Sequence, residues 1–458
     1  MLSRTLSFAC LLYLLLPCLI FLAGWVQPAL AWPVGLGLTA AVLWIATRCP
    51  ARPLQWSPAG AFRVALLLLL GALWVLTIGF DGVVAQSGDA TVRNAIYDSL
   101  VQDPWPLTVQ GKPFIYYLGH WLPPALAAKC GMHASLALQF WTLLGVWLAL
   151  LATACSEGTR RALVFLIILL LLGDMMNWVN RAYYKLSPML GRELPQDWLL
   201  FLDLHFTPSC VQLRNTFNHY VAPLVLLGML AGKLLPGRYG LAAGALVLIC
   251  SPLAAVALLP LLLLRGGWRC WNLPTLAAAL YAALPLLFLA GGVGGRVALL
   301  RPDGECSLAA LSSAQLWGRY AVQILFIVCP ALLFLRRWCY SAWFATAVML
   351  ATLMPIFWIG LWNNEFIYKG SAVMWFCLAW LYADAWMHSK GRRKVLLAFF
   401  ILLSASDAYG QLIGTLKSLS VPAAANIRNE WQGQLHQPYD TRAAQFHGHP
   451  YAHKLFKF

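Results

Sequence analysis

Acidic residues are scarce in this chain. Of 458 residues only 16 are Asp or Glu, against 32 Lys and Arg, and charged residues make up 10% in all. Soluble globular domains carry about a quarter charged residues, so this shortage excludes an ordinary water-soluble fold. A lipid environment accounts for it, because Asp at the centre of a membrane helix costs about 2.5 kcal/mol or more. The twelve cysteines include no Cys-x-x-Cys pair, and many, such as Cys10, Cys18, Cys250, Cys329 and Cys377, lie in apolar runs. That argues against a zinc or disulfide framework and for small buried hydrophobes. The chain also lacks a low-complexity linker and an obvious repeat. Its basic residues stand mostly singly or in pairs between apolar segments, with no continuous stripe, which argues against nucleic acid as a partner.

What is present is apolar. The hydrophobic share is 61%, with 22 Trp and 16 Tyr to populate two membrane interfaces. Thirteen apolar segments fall near 6–27, 31–47, 63–80, 113–130, 135–154, 162–177, 219–235, 239–264, 273–292, 319–335, 342–361, 371–387 and 395–413. The expected fold is an all-α polytopic membrane protein with about 11–13 transmembrane or membrane-embedded helices. The first segment, although it resembles a signal peptide, is long and lacks a clean cleavage site, and reads as helix one. Segment 239–264 is interrupted at Ser251-Pro252 and reads as two short helices. Residues 1–413 form the expected transmembrane domain, and the polar tail 414–458 the expected cap on the outer face.

The net charge of +16 fits the positive-inside rule and attraction to anionic headgroups, or a groove for a phosphate-bearing substrate. Arg48, Arg52 and Arg63, the pair Arg336-Arg337, and HSKGRRK at 388–394 place the N-terminus in the cytoplasm. The loop 81–112 and the tail then lie outside. SEGTRR at 156–161 belongs inside and the polar stretch 178–218 outside, which holds only if 113–130 is juxtamembrane or re-entrant.

Four of the sixteen acids, Asp81, Asp89, Asp98 and Asp103, lie in FDGVVAQSGDATVRNAIYDSLVQDPWPLTVQGKPFIYYLGHWLPPA. If DATVRNAIYDSL is helical, Asp89, Arg93 and Asn94 fall within about one turn of each other, and DPWP stops the helix. A carboxylate on a short helix at the membrane surface suits a general base for an acceptor hydroxyl, or a ligand that holds a divalent cation, Mg or Mn, against a phosphate. The plainer alternative is that Asp89 caps a juxtamembrane helix after Ser87-Gly88.

This arrangement resembles the first outer loop of GT-C glycosyltransferases: an apolar helix, an Asp, an aromatic WP and then KPFIYYLGHWL. In the protein O-mannosyltransferases and aminoarabinose transferases an Asp-Glu pair precedes a stretch like KPPLYYWL. Here Asp89 matches the first acid, but Ala90 stands where Glu is expected, which leaves Asp98 or Asp81 as the second carboxylate. NNEFIYKGSAVMWF resembles the NDF-x-x-R-x-S-I-P-A-L pattern of a group of bacterial multi-spanning proteins, with Lys369 for Arg, and NTFNHYVAPLVLL resembles their PQH stretch, with His219 at the His.

The resemblance implies a GT-C-like fold whose first outer loop carries juxtamembrane helices. It implies a multi-pass protein of the bacterial inner membrane with its site facing the periplasm. The activity would transfer a sugar from a polyprenyl-phosphate donor to a glycan, lipid or protein acceptor, with inversion. Asp89 would be catalytic, Asp89 and Asp98 would hold any cation, and Lys369, Arg93 and Arg214 would face the donor phosphate. Tyr117, Asp203, His205, His219 and Glu365 would contact substrate. The plainer readings are a Glu365–Lys369 helix pair and a solvated 178–218 loop. HGHPYAH in the tail reads as surface histidines rather than a metal site. The alternatives in function are a flippase or transporter for a lipid-linked glycan, which needs charged residues inside several spans, and an O-antigen-ligase-like or polymerase enzyme.

Overall fold

The computed structural model describes residues 2–51, 57–80, 84, 86, 89–109, 112–175, 178, 206–290, 297–299, 313–359, 364–419 and 456–457. Among these, eight helices are long and apolar enough to cross a membrane, and nine if one bent pair counts as a single span. The protein is a helical multi-pass membrane protein. Its chain divides into two compact units, one of Met1–Ala162, Leu213–Val293 and Gly414–Phe458, the other of Leu163–Gln212 and Gly294–Ile413.

The first unit begins with α1 (Leu2–Trp25), α2 (Pro28–Arg48) and α3 (Pro58–Leu76). Proline at the start of α2 and α3 costs nothing, because the first turn has no carbonyl to receive its missing N–H. Ser57 caps α3 by accepting from Gly60 N. The polar connection that follows carries α4 (Asp89–Gln102), the two-residue strands β1 (Thr108–Val109) and β2 (Lys112–Pro113), and α5 (Leu122–Lys129). The chain then enters α6 (Ala134–Glu157), passes into the second unit along α7 (Thr159–Leu171), and returns with α8 (Ser209–Ala231). The short α9 (Gly240–Ala245), α10 (Pro252–Gly266) and α11 (Leu273–Ala290) complete its helices.

α6 is held between α1 and α8. Cys10 of α1 donates to Leu148 O, and Tyr13 donates to Trp141 O with its ring stacked 4.0 Å from that of Trp141. The contacts run in opposite order along the two helices, so α1 and α6 are antiparallel. Gly145 lies against Val221, Gly228 against Ala149 and Gly232 against Ala152, in the same order, so α6 and α8 are parallel. A Cβ on Gly228 would stand 2.5 Å from the Ala149 carbonyl oxygen. Small residues four apart are how helices approach closely where lipid supplies no hydrophobic drive.

These directions settle the parity around 113–130. α5 has eight residues, about 12 Å of rise against a hydrocarbon core of about 30 Å, so it does not cross. α6 therefore starts at the end of the unit where α3 finishes, and SEGTRR lies at the end where α1 begins. Arg4, Arg48, Lys233, Arg238 and Arg265 lie at that same end, whereas Asp98 and Asp103 lie at the other. Phe456 and Lys457 also dock at that other end. Gln27 donates to Phe456 O (2.8 Å), Lys457 N donates to Trp25 O (2.9 Å), and the Lys457 ammonium donates to Ala23 O.

The second unit contains α12 (Ser313–Leu335), α13 (Ala342–Leu353), α14 (Glu365–His388), α15 (Gly391–Leu403) and most of α16 (Ser406–Leu419), with β3 (Val297–Leu299) antiparallel to β4 (Phe357–Ile359). Asn364 caps α14 by accepting from Phe366 N and Ile367 N, and the helix is buried along nearly its whole length.

The thirteen expected segments thus become eight spans, one pair (α15 and α16) bent by 51°, and four helices that fail the test of length or apolarity. α5, α7 and α13 are too short, and α8 is polar over its first half. Two expected boundaries also move. The helix expected to end at 413 runs to Leu419, and the stretch 178–218 ends before Ser209, because 209–218 belong to α8. The rest of that stretch, apart from 178 and 206–208, and the tail from 420 to 455 lie outside the described residues.

Candidate functional site

Several buried polar side chains of the first unit, His120, Ser135, Thr142, Thr216, Asn218 and His219 among them, lie toward the end where α3 finishes. α4 forms as its sequence dictates: it opens at Asp89 and stops at Gln102, just before Asp103-Pro104, because the residue before a proline avoids helical dihedrals. Ile96 and Leu100 are fully buried and fix one face of α4 to the protein. Tyr97 donates to Ala134 O (2.7 Å), tying α4 to the start of α6, and Asn94 Nδ2 donates to Gln86 Oε1 (2.6 Å). Asn94 and Asp98, one turn apart, line a small cavity with Phe80, Gln86, Tyr97, Ser135 and Leu138.

An aromatic wall adjoins this cavity. Phe217 of α8 packs edge-on against Phe80 (4.8 Å), His120 (5.4 Å) and Trp121 (6.2 Å). Tyr117 meets His219 edge to face at 4.1 Å and contacts Tyr116 at 3.8 Å. Two residues from the expected substrate set, Tyr117 and His219, are thus brought together from positions about a hundred apart in sequence.

His219 does not stand at a helix entrance. It lies within α8, just past a break at Thr216, whose φ of −138° and ψ of 38° are not helical. Four residues on, Pro223 has no N–H to give to the His219 carbonyl. Between break and proline, Asn218 is fully buried, and neither its Oδ1 nor its Nδ2 has a hydrogen-bond partner among the described residues. Leaving such a group unsatisfied costs about 1–3 kcal/mol.

Beside it, His120 is 1% exposed and its Nε2 lies 3.1 Å from Thr142 Oγ1. The only hydroxyl proton of Thr142 goes to Leu138 O at 2.8 Å, so the imidazole must donate through Nε2–H, which leaves Nδ1 as its acceptor. Burial holds its pKa down at about 3, so the ring is neutral.

Asp81, Asp203 and His205 lie outside the described residues, as does the side chain of Asp89, whose backbone opens α4. Arg93 is half-buried on α4. Arg214 is half-buried on α8, its Nη1 3.5 Å from where a Cβ on Gly414 would stand. Glu365 and Lys369 belong to the second unit, where they form the i,i+4 ion pair of the plainer reading, with Lys369 6% exposed.

Among the described residues no three His, Cys, Asp or Glu side chains gather as a cation site. Asp89 and Asp98 are nine residues apart on α4, about 13.5 Å of rise.

Two residues of this cluster, His120 and Asn218, had no role assigned from sequence. His120 sits inside the KPFIYYLGHWL stretch and Asn218 immediately before His219, so adjacency to the recognised stretches was the available signal. No protein-family model matches the chain, and no curated protein or solved structure is significantly similar to it. Its function has to be argued from the site itself.

Proposed function

We propose that the protein is a membrane glycosyltransferase of GT-C type, taking a sugar from a polyprenyl-phosphate donor at the periplasmic face of the bacterial inner membrane. The observation that carries this reading is the short helix α4, opened by Asp89 between spans α3 and α6, next to a buried set of aromatic rings and hydrogen-bonding groups. Aromatic faces suit the C–H faces of a sugar ring, and an uncommitted amide such as that of Asn218 suits its hydroxyls. The basic end where α1 begins is the cytoplasmic one by the positive-inside rule, which puts α4 on the opposite side.

In the reaction Asp89 takes the proton of an acceptor hydroxyl, the oxygen attacks the anomeric carbon, and the bond to the lipid phosphate breaks. The phosphate leaves with the bonding pair, and a single displacement inverts the centre. Arg93 and Arg214 are the cations of this unit that offset the leaving charge. Lys369 is paired with Glu365 in the other unit. Any Mg or Mn ion would lie at Asp98 and supply further charge neutralisation.

The test is transfer from a labelled polyprenyl-phosphate sugar by the purified protein in liposomes. Asp89→Asn should lower turnover by about a hundredfold or more while the donor still binds. Wild-type turnover in that variant would return Asp89 to a capping role.

A second reading, a flippase for a lipid-linked glycan, is favoured by one observation in the second unit. Asp174 is 1% exposed, its carboxylate accepts from Gln323 of span α12, and its carbonyl accepts from Ser406 (3.3 Å). A buried acid against a span is what a translocation path requires. The same liposomes decide between the two, because a flippase moves the labelled lipid between leaflets without changing its chemistry.

A further inference from the structure

The opposite end of the first unit holds a cavity that the site above does not use. It has a volume of about 650 Å³ and lies where the 3-10 turns Gly237–Tyr239 and Gly267–Cys270 meet. Among the described residues Arg238, Arg265 and Arg269 line it, with no carboxylate in the lining. Three guanidinium groups around one opening make it a site of positive potential that favours an anionic ligand.

The backbone holds the three together. A Cβ on Gly266 would stand 2.9 Å from Cys270 Cβ and 3.0 Å from the Gly237 oxygen, so the turns approach too closely for side chains. Gly267, with φ +52°, takes a left-handed conformation that other residues resist. Asn272 ties both turns, donating to Arg238 O (2.7 Å) and Arg269 O (3.0 Å) while its Oδ1 accepts from Thr275 N (3.2 Å) at the start of α11.

The surroundings set the depth of this cavity. Trp268 is 90% exposed, and Trp271 and Leu273 beside it are also exposed. Indole rings at the ends of two neighbouring spans mark headgroup level.

We propose that this cavity binds the phosphate headgroup of an anionic phospholipid from the leaflet on the N-terminal side. The shared chemistry is a phosphate ester accepting from guanidinium donors in paired geometry. The exposed Trp268 and Leu273 favour a lipid over a soluble phosphate, because they need an acyl boundary to pack against. Basic pockets between spans on the cytoplasmic side are suited to such headgroups.

The test uses the whole protein, stripped of lipid in neutral detergent. Phosphatidylglycerol and phosphatidylcholine are titrated in, and bound lipid is counted by native mass spectrometry. Wild-type protein should bind phosphatidylglycerol at least about tenfold more tightly. The Arg238→Gln/Arg265→Gln/Arg269→Gln variant should lose on the order of a hundredfold of that affinity, about fivefold per arginine. Arg269 is exposed, so Arg269→Gln alone reads the same question with about a fivefold loss should the triple variant fail to fold.

Arg48→Gln/Arg160→Gln, at the same end but outside the cavity, should bind as wild type. Equal loss in that control would show a general charge effect and overturn the site. So would equal wild-type affinity for the two lipids. Displacement of the lipid by inorganic phosphate or glycerol 3-phosphate at matching concentration would make it a soluble-phosphate site and overturn the lipid assignment.

Discussion

Asn218→Leu separates a ligand-facing residue from a structural one. The side chain is fully buried, and neither amide atom has a partner among the described residues. Leucine has nearly the same volume and no polar atom. Replacing an unsatisfied buried amide by an apolar group removes its desolvation penalty, about 1–3 kcal/mol, and disturbs packing little. The ligand-free variant should therefore be more stable than wild type by that amount. For a unit of this size that raises the unfolding midpoint by several degrees, at roughly 2–4 °C per kcal/mol. Thermal unfolding in detergent, followed by helix ellipticity, measures it. The same variant should lose donor binding, so the upward shift that the labelled donor gives wild-type protein should vanish. A variant destabilised by more than about 1 kcal/mol, with donor response intact, would refute the reasoning and show that the amide holds the fold together.

The other predictions concern protonation, packing and sidedness. His120 has a folded-state pKa of about 3 against about 6.5 unfolded, so the unfolded chain takes the proton first. Its contribution to stability is full above pH 6.5 and is lost as pH falls toward 3, by as much as about 4–5 kcal/mol. His120→Gln, which keeps a donor for Thr142, should flatten that slope in unfolding scans at stepped pH. Gly232→Ala puts a methyl into the Ala152 carbonyl and should destabilise the protein by about 1–3 kcal/mol, whereas Gly37→Ala, with nothing within 4 Å of its Cβ position, should be neutral or mildly stabilising. Exposed Cys130, after α5, should react with an impermeant maleimide added to intact cells. A cysteine introduced by Trp268→Cys should be protected, and the reverse pattern would invert the proposed topology.

The sequence by itself determined the features that depend on local chemistry and on lipid. Eight spans follow from apolar length, since bare backbone in hydrocarbon must satisfy its own hydrogen bonds within a helix. The start of α4 at Asp89 and its stop before Asp103-Pro104 follow from residue type, as does the break at Ser251-Pro252, where α10 begins. Only the tertiary structure decided where the shorter apolar helices end. α13 stops at Leu353 and the chain turns into β4, pairing with β3 from far away in sequence, a partner that hydropathy does not encode. Likewise, nothing local to Asn218 or His120 says that they are buried. Their burial comes from α6, α8 and the stretch before α5 closing on one another, through Gly228 and Gly232 against α6 and Phe217 against Phe80, His120 and Trp121. Lys369 shows the same division: its spacing from Glu365 was legible as an ion pair, whereas its burial was set by the helices packed around α14. Hydropathy reports the cost of each residue in lipid. Whether a polar side chain meets lipid, water or another side chain depends on contacts that only the packed chain creates.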